Sequence, residues 1–237
     1  MLQFRRMKRH AFFCLIATVL FAQAAGPEVE ITAEPHHHLT IDNQSVRAYY
    51  VEIPPHGETL MHWHRHDYFF VSIGPADIVN EVKDKLPASL KFQDGETRFA
   101  PATFAHIARN VSDQPFRNVT IEILDDANLR NSTAKWDEDR GLDVLKGGTK
   151  QVVFVKDGIR VTEFELQPGG IVPMHHYAGP HLLVAVSDLD IRSDVQGQGH
   201  TATHLKSGES KWLPGNYSHS VTNTGKRPAK FVTLEFP

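Results

Sequence analysis

Apolar and polar residues alternate along most of this chain with the period of two that a half-buried strand requires. Val46 to Ile53, Asn118 to Leu124, Ile159 to Leu166 and Lys230 to Phe236 alternate or run apolar, and all are rich in β-branched and aromatic residues. Turns carrying Gly, Pro or Asn separate such runs, among them Pro54-Pro55-His56-Gly57, Gln167-Pro168-Gly169-Gly170 and Pro214-Gly215-Asn216. Many short strands at about eight-to-twelve-residue spacing predict an all-β sandwich or barrel, and helical periodicity is weak throughout. The stretch 126–149 breaks the pattern. It is charged and polar, includes Asp137-Glu138-Asp139-Arg140 and ends in Gly147-Gly148. It reads as a linker, with one short helix near Ala134 to Asp139.

The pattern is written twice. At a constant offset of 113 residues, Val51-Glu52-Ile53 meets Phe164-Glu165-Leu166, Met61-His62 meets Met174-His175, and Gly95-Glu96 meets Gly208-Glu209. His106 meets His219, and Val119-Thr120-Ile121-Glu122-Ile123 meets Val232-Thr233-Leu234-Glu235-Phe236. The offset never drifts, which two copies of one domain explain and chance does not.

One block recurs in definite form. The first copy reads Gly95, five residues, Pro101, one, Thr103, two, His106, three, Asn110. The second reads Gly208, Pro214, Asn216, His219, Asn223 at the same intervals. This resembles the second motif of the cupin superfamily, G-x5-P-x-G-x2-H-x3-N, with the middle glycine replaced by Thr103 and Asn216. Asn tolerates the left-handed conformation better than Thr. The resemblance implies a bicupin: two tandem jelly-roll (double-stranded β-helix) barrels, at 26–125 and 150–237.

The first cupin motif, G-x5-H-x-H-x3-4-E-x6-G, is degenerate in both copies. In the first, the offset makes His62 and His64 the two histidines and puts Tyr68 where the glutamate belongs. In the second, His175 is followed by Tyr177 in the second-histidine slot and His181 in the glutamate slot. A second register is open for copy one. Trp63-His64-Arg65-His66-Asp67-Tyr68 resembles the W-H-R-H-E-Y run of some one-domain cupins, which makes His64 and His66 the pair. Residues two apart in a strand share a face, so His62, His64 and His66 can all point into one barrel, joined by His106 from another strand.

Composition sharpens the picture. Histidine is unusually abundant, at 15 of 237 residues, and it is the imidazole ligand of choice for Zn, Cu, Fe and Ni. The expected sites are therefore metal centres at His62, His64 and His106 and at His175, His181 and His219, with His66, Tyr68 and Tyr177 as further candidates. The expected cofactor is a divalent transition metal (Fe, Mn, Zn, Ni or Cu). No residue outside the histidines stands out as a catalytic acid or base. The bland reading is a buried histidine in a barrel that has lost its metal. His36-His37-His38 reads as a solvated tract, and solvent-facing alternation accounts for Glu122 and Glu235 as well as a site role does.

Met1 to Ala25 reads as a secretory signal peptide. Arg5, Arg6, Lys8 and Arg9 precede an apolar run of about twelve residues, too short to span a bilayer, and Ala22-Gln23-Ala24 fits a cleavage site. Cleavage near Ala24 leaves 21 basic residues of the original 25 against 28 acids, a net charge near −7, and removes the single cysteine, Cys14. Such a surface is poorly suited to nucleic acid and anionic membranes, so neither nucleic acid nor stable membrane insertion is expected. The expectation is a secreted or periplasmic protein, a monomer or homo-oligomer, that takes a small-molecule ligand or substrate. The cupin resemblance implies dioxygenase, decarboxylase or isomerase chemistry. The alternative is a non-catalytic binding protein.

Overall fold

The computed structural model of the protein describes residues 27–124 and 141–237. The expected signal segment and the expected short helix near 134–139 lie outside the described residues. In the first half, β1 (Val29–Glu30), β2 (His37–Asp42), β3 (Val46–Ile53), β4 (His62–His64), β5 (Tyr68–Ile73), β6 (Ala76–Val82), β7 (Ala88–Phe92), β8 (Thr97–Ala100), β9 (Phe104–Asn110) and β10 (Phe116–Ile123) form two five-stranded sheets. Their orders are β1-β4-β9-β6-β7 and β2-β3-β10-β5-β8. The second half contains β11 (Leu142–Lys156), β12 (Ile159–Tyr177), β13 (His181–Ala185), β14 (Leu189–Val195), β15 (Gly199–Leu205), β16 (Ser210–Leu213), β17 (Tyr217–Asn223) and β18 (Ala229–Glu235). They run β15-β14-β17-β12-β18-β13-β16, with β11 on β12. The fold is all-β and barrel-like. Among the described residues the only helical element is a 3₁₀ turn at Ile31–Ala33.

The repeat seen in the sequence is also a repeat of strand register. His62 pairs with His106 as His175 pairs with His219. Glu122 pairs with Tyr68 and Arg47 as Glu235 pairs with His181 and Arg160. Ile78 pairs with Asn110 as Ile191 pairs with Asn223. The turn before each motif histidine sits in the left-handed region, with φ of 71° at Thr103 and 60° at Asn216. That is the conformation the missing glycine would have taken freely.

Two differences from the sequence reading have clear causes. Residues 142–149, expected in the linker, belong to β11, which crosses its polar and glycine-rich stretch with an irregularity between Lys146 and Gly148. Pairing with β12 supplies the hydrogen bonds that side-chain pattern alone does not reveal. Glu122 and Glu235 do not face solvent; they are 1% and 2% exposed.

The second difference follows from how the halves pack. Val119, Ile121 and Ile123 of β10 join Val46, Phe69 and Val71 in one core, and Val161, Leu182, Val232 and Leu234 of the second half complete it. Both faces of β10 and β18 are therefore buried, one against the other half and one toward the strand's own interior. Glycines at matching positions permit the approach. A Cβ on Gly208 would lie 2.6 Å from the Tyr50 ring, and one on Gly95 would lie 2.6 Å from Lys230 Cε.

Candidate metal centre

β4 is three residues long, and its alternation puts His62 and His64 on the inner face and Trp63 on the outer. Outside, Trp63 donates its indole N–H to Glu28 (2.9 Å), and the Arg65 guanidinium lies 4.2 Å above its ring. Inside, β9 brings His106 alongside. The Nε2 atoms of His62, His64 and His106 stand 3.1, 3.1 and 3.2 Å from one another. Among the described residues this is the group of three histidines or acids whose ligand atoms all lie within 4.8 Å of one another.

Proton bookkeeping shows what this triangle can accept. His62 donates Nδ1–H to the Leu60 carbonyl (2.9 Å), and His106 donates Nδ1–H to the Asn80 amide oxygen (2.5 Å). Each neutral ring then presents a bare Nε2 lone pair, so two lone pairs face each other at 3.1 Å. His64 has one proton to place and cannot relieve every contact; its Nδ1 is buried without a hydrogen-bond partner. Burial holds His62 down at about 4 and pushes His64 and His106 well below the ordinary imidazole range, with neighbouring imidazoles adding to the effect for all three. Three neutral imidazoles with converging lone pairs suit a cation bonded at about 2.1 Å to each. The two Nδ1 anchors are the outer partners that fix tautomer and ring orientation in such sites.

The remaining neighbours close the site. Tyr68 stacks on His64 with centroids 4.1 Å apart, and burial raises its phenol far above the ordinary value, so it is a neutral wall. A cavity of about 70 Å³ adjoins the imidazoles, walled by Phe70, Phe92 and Phe116. His37 lies at its edge, its ring centroid 4.8 Å from that of His62. Its Nδ1 meets the buried Glu34 carboxylate at 2.6 Å. Burial alone would raise Glu34, but hydrogen bonds from His37 and His36 outweigh it and hold the carboxyl at about 2. The His36–His38 tract is thus not simply solvated. The repeat gave no warning, because Lys150 stands at the position matching His37. His66 lies beyond the end of β4, half-buried and outside the group of three.

In the second half, His175 and His219 reproduce their counterparts. Their Nε2 atoms are 3.1 Å apart, His175 Nδ1 donates to the Pro173 carbonyl (2.8 Å), and His219 Nδ1 meets Ser193 Oγ at 2.5 Å. The third corner differs. Tyr177 occupies the place of His64 and stacks on His181 at 3.7 Å, so the stacked His–Tyr pair is present in both halves with its members exchanged. His181 Nε2 lies 3.4 Å from the Tyr217 hydroxyl. Burial, with the nearby His219 and His175, holds His181 at about 3.

No family model matches the sequence, and no curated protein matches it. Solved structures do. AerE from Microcystis aeruginosa superposes with a TM-score of 0.61 at 13% identity, covering 86% of this chain and 93% of that one. Oxalate decarboxylase from Bacillus subtilis, with its Mn(II) centres, gives 0.59 at 11% identity over 81% of this chain and 69% of its own. A cupin 2 conserved barrel domain protein from Leptotrichia buccalis gives 0.52 at 12% identity over 85% and 88%. The chain has the cupin fold.

The residues that the resemblance matches to the motif histidines lie on β4 and β9 (His62, His64 and His106) and on β12 and β17 (His175 and His219). The slot that the resemblance gives to a carboxylate holds Tyr68 in one half and His181 in the other. Asn110 and Asn223 close each motif as structural clips. The Nδ2 of each donates across the sheet, from Asn110 to the carbonyls of Ile53, Pro54 and Gln114 and from Asn223 to those of Leu166 and Arg227.

Proposed function

We propose that this chain is an exported bicupin metalloprotein that holds one divalent transition metal in its first half, through the Nε2 atoms of His62, His64 and His106, and acts there on a small organic molecule. The observation that carries this reading is the triangle of Nε2 atoms at 3.1–3.2 Å, whose contacts neutral imidazoles do not all satisfy among themselves. With no carboxylate in the set, the donors suit Zn, Cu, Fe and Ni better than Mn. The Mn(II) of oxalate decarboxylase supports a metal in this fold but not the choice of metal.

A bound divalent ion would polarise a coordinated oxygen or activate water. The protein's own contribution is to hold His62 and His106 by their Nδ1 protons and to keep water out with Phe70, Phe92 and Phe116. It also offers His37, fixed by Glu34, at the cavity edge. The small cavity supports a compact substrate, for which dioxygenation, decarboxylation and isomerisation are the reaction classes within reach. Export is inferred from the basic and apolar opening segment; among the described residues no helix is long and apolar enough to cross a membrane.

The test is metal analysis of the purified protein, followed by oxygen uptake and carbon dioxide release with short organic acids. Bound metal and turnover, both lost in His64→Ala, support the reading. Failure to retain or take up any transition metal refutes it. The exchange of the carboxylate position for Tyr68 favours, as second reading, a metal-binding protein without turnover; it predicts metal uptake with no substrate consumed.

A further inference from the structure

We infer that the interior of the second half is a metal-independent pocket for a small organic carboxylate with an apolar body. Its cavity has a volume of about 300 Å³, against about 70 Å³ in the first half. That reaches the lower bound of ordinary ligand pockets. The repeat explains the difference residue by residue. Leu183 stands where the first half has Phe70, and Thr203 where it has Leu90. The first half's aromatic filling, in which Phe92 packs against Phe70 and Phe116 with centroids 5.1 and 5.8 Å apart, has no counterpart at Leu205 and Ala229.

The walls changed chemically as well as in size. Ser193, Thr201, Thr203 and Tyr217 line the second cavity at positions matching Asn80, Ala88, Leu90 and Phe104. Four hydroxyls thus face an apolar side that includes Phe164 and Phe231, whose rings stack at 4.9 Å. Lys211 also lines the cavity. Its Nζ makes a 3.4 Å contact with Thr203 Oγ1, and among the described residues no carboxylate forms an ion pair with it. Its counterpart Arg98 is occupied, bound to Glu96 at 2.7 Å and lying over Phe92. An exposed cation free to reorient beside hydroxyl donors recognises a carboxylate, and the aromatic side accepts the body that carries it.

The His175–His219 pair does not require a cation. Asn80 presents an oxygen that can only accept, which leaves His106 Nε2 bare. Ser193 at the matching position has a hydroxyl that can donate to His219 Nδ1. His219 then carries its proton on Nε2 and donates it to His175 Nε2 at 3.1 Å, and the pair is satisfied on its own. The third imidazole of the triangle is absent, because Tyr177 stands in its place.

Benzoate is the probe, with benzamide as its uncharged analogue, titrated calorimetrically into EDTA-treated protein. The expected result is saturable 1:1 binding of benzoate with Kd below about 1 mM and at least about tenfold weaker binding of benzamide. Lys211→Met should erase the preference for benzoate, and Leu183→Phe or Thr203→Leu, each restoring the first half's residue, should abolish or severely weaken binding. His64→Ala should leave it unchanged. No saturable binding to the wild-type protein overturns the proposal. So does equal binding of benzoate and benzamide, dependence on added metal, or undiminished binding in both filled variants when both keep the wild-type circular dichroism spectrum. Metal uptake at His62, His64 and His106 is measured separately, so the two readings fail independently.

Discussion

Removing the Glu34 carboxylate should destabilise the protein and loosen the metal triangle together. Glu34 is 1% exposed, and its two oxygens accept from the His36 N–H (2.8 Å), His36 Nδ1 (2.9 Å), His37 Nδ1 (2.6 Å) and the Leu60 N–H (3.2 Å). In Glu34→Ala, His36 is 26% exposed and regains water, whereas His37 at 5% does not; the Leu60 N–H loses its acceptor as well. Orphaning the buried His37 donor and losing charge-assisted bonds costs about 3 kcal/mol. For a chain of this size that is a fall of about 6–12 °C in Tm. Leu60 is also the residue whose carbonyl holds His62 Nδ1, so metal affinity should drop about tenfold or more. Thermal melts of metal-free protein and competition titrations with a chromophoric chelator read the two effects. A Tm change under about 2 °C with unaltered affinity would refute the role assigned to Glu34.

Asn80→Ala removes the acceptor that fixes His106, and it should weaken metal binding about 10–100-fold; unchanged affinity in the same titration contradicts this. Thr103→Gly relieves a β-branched residue at φ 71° and should raise stability by about 1 kcal/mol, seen as a Tm gain of about 2–4 °C; a loss would show that Thr103 is held there by contacts worth more than its strain. The metal-free protein should lose stability as pH falls. His62 and His219 sit at about 4 and His181 at about 3 when folded, chiefly because burial disfavours their charged forms. The unfolded chain therefore binds more protons between about pH 6.5 and those values, and stability is full above that window and declines through it. Melts of EDTA-treated protein from about pH 8 to about pH 5 should show a falling Tm, and a flat or rising profile would contradict the assignment.

Much of this was legible in the sequence because the repeat carries its own internal standard. The offset of 113 residues reappears as matching strand registers, and the motif positions of Thr103 and Asn216 both adopt the left-handed backbone that the cupin glycine implies. What escaped was whatever depends on elements meeting in space. Glu122 and Glu235 alternate like surface residues and are buried because the apolar face of each strand packs on the other half, which leaves their own face turned into the interior of its half. Residues 142–149 look like linker and are a strand because β12 offers them an edge. Glu34 and His37 lie outside the duplicated motif, so nothing in the pattern joined them to His62. His181 carries the right residue type for a ligand, but it stands at the position matching Tyr68, stacked on the Tyr177 that takes the place of His64.

The stoichiometry of metal binding tests the central claim most directly. Co(II) titrated into EDTA-treated protein, followed by its visible d–d absorption, should saturate at one equivalent per chain. His64→Ala should abolish the site, and His175→Ala should leave it intact. Absence of a tight site in the wild-type protein, or a site that survives His64→Ala and vanishes with His175→Ala, would contradict the assignment of the metal to His62, His64 and His106.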